Sequence, residues 1–402
     1  MKRFALVFAA LALTGVMAYA DDAMAAPAPV TVTIGSWGRQ IFAVGSQDTS
    51  GYWLGTGQSW GNAPRGSELT FTAKTDNAGF AVTPSFDGNT ISIGDEAKGW
   101  VSPLPGLTVE SGYTLETDTW RGTSDFGSDD WIRFQGYQQS SFTFFRLGEG
   151  GLATDINYNK DGIGAWALIS GAGTSNLAAA QDIGSSLQIG AAYTIPGTAQ
   201  IKAQYVGYSV AGTTLQGTTR SPAVATGNGF GQIQIAANIN PMLKGLQQEV
   251  GIDIPMSATD AGYAFQVSDI TDVPYQMAVF HLMALVTDFN GNLSTSGGSG
   301  IGLLGGIGAD YDLGNKVGLN GDIRYGNALG SASGANGGTA LTGVMVGITK
   351  SFDHGLIGIG FEYSTSTIGA GSGSAAGNAN SVGANNAGDA HWAIPVKLEE
   401  SF

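Results

Sequence analysis

Apolar and polar residues alternate one by one along much of this chain. Leu187, Ile189, Ala191, Tyr193 and Ile195 are separated by Gln188, Gly190, Ala192 and Thr194. Ile201, Ala203 and Tyr205 are separated by Lys202 and Gln204, and Ile233, Ile235, Ala237 and Ile239 by Gln234, Ala236 and Asn238. The same beat runs through 246–254, 301–311, 317–325 and 357–363. Successive side chains of a strand point to opposite faces, so a period of two predicts strands with one apolar and one polar face. Many of these runs approach the length that carries a tilted strand across a bilayer, about 10 residues.

The connections sharpen the picture. Short ones, at Asp76-Asn77, Pro196-Gly197, Gly314-Asn315 and Asp353-His354-Gly355, are interspersed with long stretches rich in Gly, Ser, Thr and Asn at 45–66, 171–181, 212–227, 288–299, 328–340 and 366–388. A β-sandwich would alternate as well, but it has less reason to segregate loop length. Short turns at one end and long loops at the other predict an all-β fold, a single transmembrane antiparallel barrel of 16–18 strands over residues 30–402, with 18 favoured. Residues 274–289 are apolar on both faces and are read either as a strand with a covered inner face or as a short amphipathic helix.

Composition agrees. Charged residues make up 12% of the chain, where a soluble domain carries about a quarter. Gly numbers 64, and mean hydropathy is close to zero. No uncharged apolar stretch of about 18 residues lies beyond the first twenty, which argues against helical spans. The 17 basic and 32 acidic residues offer no basic stripe, so nucleic acid is not an expected partner. There is no Cys, hence no disulfide framework and no lipoprotein anchor.

The two ends read as targeting and closure. Met1-Lys2-Arg3 precedes an uncharged apolar run, Phe4 to Val16, and then Ala18-Tyr19-Ala20. This is the layout of a secretory signal peptide over 1–20, with cleavage expected after Ala20 and the alternative after Ala25. Residues 21–29 form a short linker. At the other end Trp392, Ile394, Val396, Leu398, Glu400 and Phe402 fall on one face, and Ala393, Pro395, Lys397, Glu399 and Ser401 on the other.

That closing strand with its terminal aromatic resembles the last strand of bacterial outer-membrane barrels. The opening run Val30 to Phe42, with its Trp37-Gly38-Arg39 step, is similar to the first strand of proteobacterial general porins. The resemblance covers about a dozen residues at one end and about ten at the other. It implies an outer-membrane location, recognition of Trp392, Ile394, Val396, Leu398 and Phe402 by the barrel-assembly machinery, and a trimer of 16-stranded barrels, a strand number that the count of 18 does not match.

Enzyme signals are nearly absent. His281, His354 and His391 are the only histidines, and none has a catalytic setting legible in sequence. No HExxH run occurs, and neither a zinc site nor a cofactor is expected. Gly300-Ile301-Gly302-Leu303-Leu304-Gly305 matches GxGxxG formally, but alternation continues through it and no helix follows.

Segment 117–151 stands apart from the smooth polar loops. It mixes Asp118, Asp125, Asp129 and Asp130 with Arg121, Arg133 and Arg146 and many aromatics. By the strand count it is the third external loop, which in general porins folds into the barrel and narrows it. The alternative is a strand pair, 131–138 with 141–147, that extends the wall outward. Candidate lumen charges are Glu68, Lys74, Glu110, Asp155, Lys202, Glu249, Asp253, Asp322, Arg324 and Glu362. Acids outnumber bases among them, which predicts mild cation preference.

The expected function is a passive water-filled channel for small hydrophilic solutes and ions in the bilayer, because a barrel this large leaves an aqueous lumen unless it is plugged. The alternatives are a surface adhesin displaying 45–66 and 366–388, a transporter for hydrophobic solutes if 274–289 lines the lumen, and a soluble secreted β-protein.

Overall fold

A computed structural model describes residues 29–47, 51–57, 67–87, 90–116, 148–170, 187–207, 214–215, 218–219, 231–239, 246–256, 264–288, 301–327, 340–364 and 391–402. All regular structure among them is β. Strand β1 (Thr31–Gln47) pairs along its second half with β2 (Gly51–Gly57) and along its first half with β3 (Ser67–Lys74). The sheet continues antiparallel through β4 (Ala78–Asp87), β5 (Thr90–Leu104), β6 (Leu107–Glu116), β7 (Gly148–Lys160), β8 (Ile163–Ser170), β9 (Leu187–Ile195) and β10 (Ala199–Gly207). A small separate ladder of β11 (Thr214–Leu215) and β12 (Thr218–Thr219) follows.

The main sheet resumes with β13 (Gly231–Ile239) on β10. It runs on through β14 (Gln247–Pro255), β15 (Phe265–Tyr275), β16 (Ala278–Asp288), β17 (Ile301–Gly314), β18 (Val317–Asn327), β19 (Ala340–Ser351), β20 (Gly355–Ser364) and β21 (His391–Ser401). Then β21 pairs with the free edge of β1, from Trp37 opposite Ser401 to Gln47 opposite His391. Of the 19 strands in this sheet, β2 pairs with β1 alone, and the other eighteen form a closed ring. Closure removes the unpaired backbone edges that a bilayer would not tolerate.

The eighteen-strand count therefore stands, and loop length segregates as expected. Eight connections at one end are short; 161–162 and 315–316 are two-residue turns, with positive φ at Asp161, Gly162, Asn315 and Lys316 that suits the twist of a tight hairpin. The other end carries the long joins, with one exception: β4 reaches β5 through residues 88–89 alone. Two expectations change. The loop expected over 45–66 is partly strand, because the ladder of β1 runs on to Gln47 and returns as β2. Residues 274–289 are neither one strand nor a helix: β15 ends at Tyr275, the chain turns at Gln276-Met277, and β16 begins at Ala278. Pro274 and Gln276 mark the turn inside what reads as a continuous apolar run.

The two faces of the ring differ as the alternation predicts. Ile189, Tyr193, Ile201, Ile233, Ile235, Ile307, Ile323, Val346, Ile348, Ile357, Ile359 and Leu398 are exposed on the outside. Gln188, Lys202, Gln204, Gln232, Gln234, Asp253, Asn320, Thr349 and Lys397 are buried on the inside. This is inverted relative to a soluble protein, where burial belongs to the apolar side.

Candidate functional site: the inward wall

From β6 to β14 the inward wall is built in rows. One row runs in register through Glu110, Asp155, Leu168, Gln188, Val206, Gln232 and Pro255. The next holds Trp166, Gly190, Gln204, Gln234 and Asp253. Amides stitch the rows: Gln188 Nε2 donates to Gln204 Oε1 at 2.9 Å, and Gln204 Nε2 to Gln234 Oε1 at 2.6 Å. Each glutamine has both a donor and an acceptor, so a ladder of them can link strand to strand without a net charge. Trp166 lies flat across Gly190, where a Cβ would come within 2.2 Å of the indole; only glycine leaves that space. Lys202 sits between Ala192 and Ala236 in register and places its ammonium 4.9 Å from the centre of the Trp166 ring.

The charges reached by solvent lie elsewhere on the wall. On β5 and β6, Lys98 pairs with Glu96 at 3.2 Å and with Glu110 at 3.5 Å, all three side chains being 20–27% exposed. On β15 to β17, His281 is clasped between two carboxylates, Nδ1 to Asp272 at 2.7 Å and Nε2 to Asp310 at 3.1 Å. Asp272 stands directly across from His281, and Gly308 faces it on the other side; the missing side chain there lets Asp310 reach over from the next inward position. On β21, Lys397 is fully buried and lies 2.9 Å from Glu399, which is 21% exposed. The solvent-reached set among these is thus Glu96, Glu110, Asp272, Asp310 and Glu399 against Lys98.

Among the residues read from sequence, Glu68, Glu110, Asp155, Lys202 and Asp253 all line the inward wall. Lys74 is exposed where β3 meets its turn. Glu249, Asp322, Arg324 and Glu362 occupy inward register positions of the backbone: Asp322 and Glu362, for instance, both stand across from inward Met345. Their side chains lie outside the described ones. Asp118, Arg121, Asp125, Asp129, Asp130, Arg133 and Arg146 all fall in the join from β6 to β7, outside the described residues.

The closing strand is as read. Ile394, Val396 and Leu398 are exposed outward, Trp392 is half-buried, and Phe402 is exposed with its ring stacked on His354 at 5.1 Å between centroids. Sequence reasoning missed Lys98, the clasp on His281 and the inward Lys397–Glu399 pair. The available signal for the clasp was partial: Asp310 falls on the polar beat of its strand, whereas His281 is a lone polar residue in a run that is apolar on both faces.

No family model matches the chain, and no curated protein is similar to it in sequence. Solved structures are similar in fold over nearly the whole chain. An anion-selective porin from Comamonas acidovorans is 14% identical, with 93% of this chain and 100% of that one covered and a TM-score of 0.51. OpdQ of Pseudomonas aeruginosa is 10% identical, covering 92% and 98%, with a TM-score of 0.52. OccK2 (OpdF) of the same organism is 10% identical, covering 92% and 97%, with a TM-score of 0.54. The fold is that of a bacterial outer-membrane porin. At these identities the likeness concerns architecture, so the residues of the wall are argued from this chain alone.

Proposed function

We propose that the protein is an outer-membrane porin, a passive water-filled channel for small hydrophilic solutes and ions with mild cation preference. The observation that carries this reading is the closed ring of eighteen strands with an apolar outer face and an inner face of amides, carboxylates and lysines. A ring of that size encloses a lumen too wide for wall side chains alone to fill. Preference for cations is supported by the solvent-reached charges of the wall, where Glu96, Glu110, Asp272, Asp310 and Glu399 stand against Lys98. Charges that line an opening bias which ion enters.

Segment 117–147 joins β6 to β7 at the end with the long joins, third in order after those that follow β1 and β4. We place the channel's narrowest point there, on the strength of its mixed Asp, Arg and aromatic composition. Single-channel recording of the purified protein in a planar bilayer, with the reversal potential read in a salt gradient, tests the proposal. Conductance with a reversal potential of cation sign is expected. A protein that folds into the bilayer and does not conduct would favour the display reading instead.

A further inference from the structure

Trp100 gives the inward wall an apolar face within reach of solvent. It stands on β5 directly across from Gly79 of β4 on one side and from Glu110 of β6 on the other. Its benzo ring covers the glycine. A Cβ on Gly79 would lie 2.3 Å from Cζ2 of Trp100, so a side chain there would lift the indole off the wall. One face of the indole is thus laid against backbone, and the other is turned to the lumen. Trp100 is half-buried, whereas Trp166, seated on Gly190 in the same manner, is 2% exposed and has the Lys202 ammonium over its ring. Of these two tryptophans, Trp100 keeps a face to offer.

Hydrogen-bonding groups surround that face. Two residues before Trp100, Lys98 reaches Glu96 at 3.2 Å and Glu110 at 3.5 Å. Two residues after it, Ser102 shares a hydrogen bond of 3.2 Å with the Thr108 hydroxyl. Lys74, an exposed side chain, stands across from Gly79 in the same row as the indole. Two ammonium groups and two carboxylates therefore surround the ring, and their charges cancel. That balance selects the ligand. An organic cation would gain from the indole face and the carboxylates but would meet Lys74 and Lys98, and an organic anion would meet Glu96 and Glu110. A neutral molecule with an apolar face and an edge of hydroxyls is repelled by neither sign. Its hydroxyls accept from the lysines and donate to the carboxylates, while its C–H face leaves water against the indole. Small-molecule sites join an aromatic surface to a few placed polar groups in this way.

We propose that Trp100, with Lys98, Glu110, Ser102 and Thr108 around it, is a binding site on the channel wall for a neutral sugar in its pyranose form. Pyranoses with equatorial hydroxyls fit best, because they leave flat C–H faces and carry their hydroxyls on the rim. The site holds such a solute on its way through the lumen. The inference rests on the reading of the protein as a water-filled channel, and it names one class among the small hydrophilic solutes.

Single-channel current in a planar bilayer reads occupancy of the wall, because a bound sugar obstructs the ions. Cellobiose, a neutral disaccharide of glucose rings with equatorial hydroxyls, is added in steps at constant salt. Sorbitol, a polyol without a ring, is the comparison at equal mass. Cellobiose is expected to lower the mean current towards a saturating level, and sorbitol only in proportion to the viscosity of the solution. Trp100→Ala should raise the cellobiose concentration for half-maximal block by roughly tenfold or more. Trp100→Phe, which keeps an aromatic face, should fall between the two. Gly79→Ala, which lifts the indole and leaves every polar group in place, should weaken the block as Trp100→Ala does.

Heat-modifiability of each preparation reports on the barrel separately. Should Trp100→Ala give no folded barrel, Trp100→Phe and Gly79→Ala decide on the same measure. A conducting channel whose current cellobiose lowers no more than sorbitol overturns the site. So does a half-maximal concentration that these variants leave unchanged. A block that depends on Trp100 and comes from tetramethylammonium instead of cellobiose makes the ligand an organic cation, and overturns the proposal too. A folded protein that does not conduct removes the channel reading itself, and the site falls with it.

Discussion

Phe402 and Ser36 exchange both of their backbone hydrogen bonds: Ser36 N donates to the Phe402 carbonyl at 2.9 Å, and Phe402 N donates to the Ser36 carbonyl at 2.9 Å. The last residue of the chain thus fixes the register at which the ring shuts. Gly35 lies beside it, where a Cβ would stand 3.3 Å from the Phe402 carbonyl oxygen. The ladder continues from this pair to His391, so closure and the amphipathic face of β21 are set together.

Deleting Phe402, or replacing it with a polar residue, should impair assembly into the outer membrane while leaving secretion intact. The deletion removes both closing hydrogen bonds and the aromatic stacked on His354. Heat-modifiability of the outer-membrane fraction checks it; an unchanged yield of folded barrel would count against an assembly role for the terminus.

Charge should be tolerated on one face of β18 and not on the other. Ile323 is 50% exposed on the outside, whereas Asn320 is buried inside. Ile323→Arg should lower folding stability by about 2–4 kcal/mol at mid-membrane depth. Asn320→Arg should fold and shift ion selectivity towards anions. Urea titration in lipid vesicles and reversal potentials separate the two.

Lys98 is the basic member of the solvent-reached charges, held between Glu96 and Glu110. Lys98→Ala frees both carboxylates to act on passing ions and should move the reversal potential further towards cation selectivity. Glu96→Gln with Glu110→Gln should move it the opposite way. Equal potentials for all three proteins would remove this part of the wall from the conduction path.

His281 ties three strands through Asp272 and Asp310. His281→Ala should cost about 1–3 kcal/mol of stability, because two carboxylates lose their common partner. Restoring only the shape with Phe should not recover it. The midpoint of denaturant unfolding reads the difference.

The join 117–147 should govern conductance if it narrows the channel. Removing residues 123–131 should raise single-channel conductance, and neutralising Asp125, Asp129 and Asp130 together should weaken cation preference with little change in stability. A conducting protein indifferent to both changes would place the narrowest point elsewhere.

Alternation determined the facing of most strands and, with the lengths of the connections, an all-β barrel of 16–18 strands. A period of two is a local property, and a bilayer outside with water inside imposes it on every strand. Ile323 and Asn320, or Ile201 and Lys202, could be assigned to faces without knowing any neighbour. The apolar run 274–289 misled because its turn, Gln276-Met277, lacks glycine, and the pattern on either side is apolar.

Pairing was decided by tertiary structure. Asp272, His281 and Asp310 come from three strands, and only the register of β15 on β16 on β17 makes them one clasp. Lys98 and Glu110 meet because the register of β5 on β6 sets Lys98 across from Gly112, which has no side chain, with Glu110 at the next inward position. Gln248, Asp269 and Thr271 each break the apolar beat in isolation; the ladder between β14 and β15 gathers them into one cluster. Facing is written residue by residue, whereas side-chain partnership depends on strand register, which hydrogen bonding between distant segments sets.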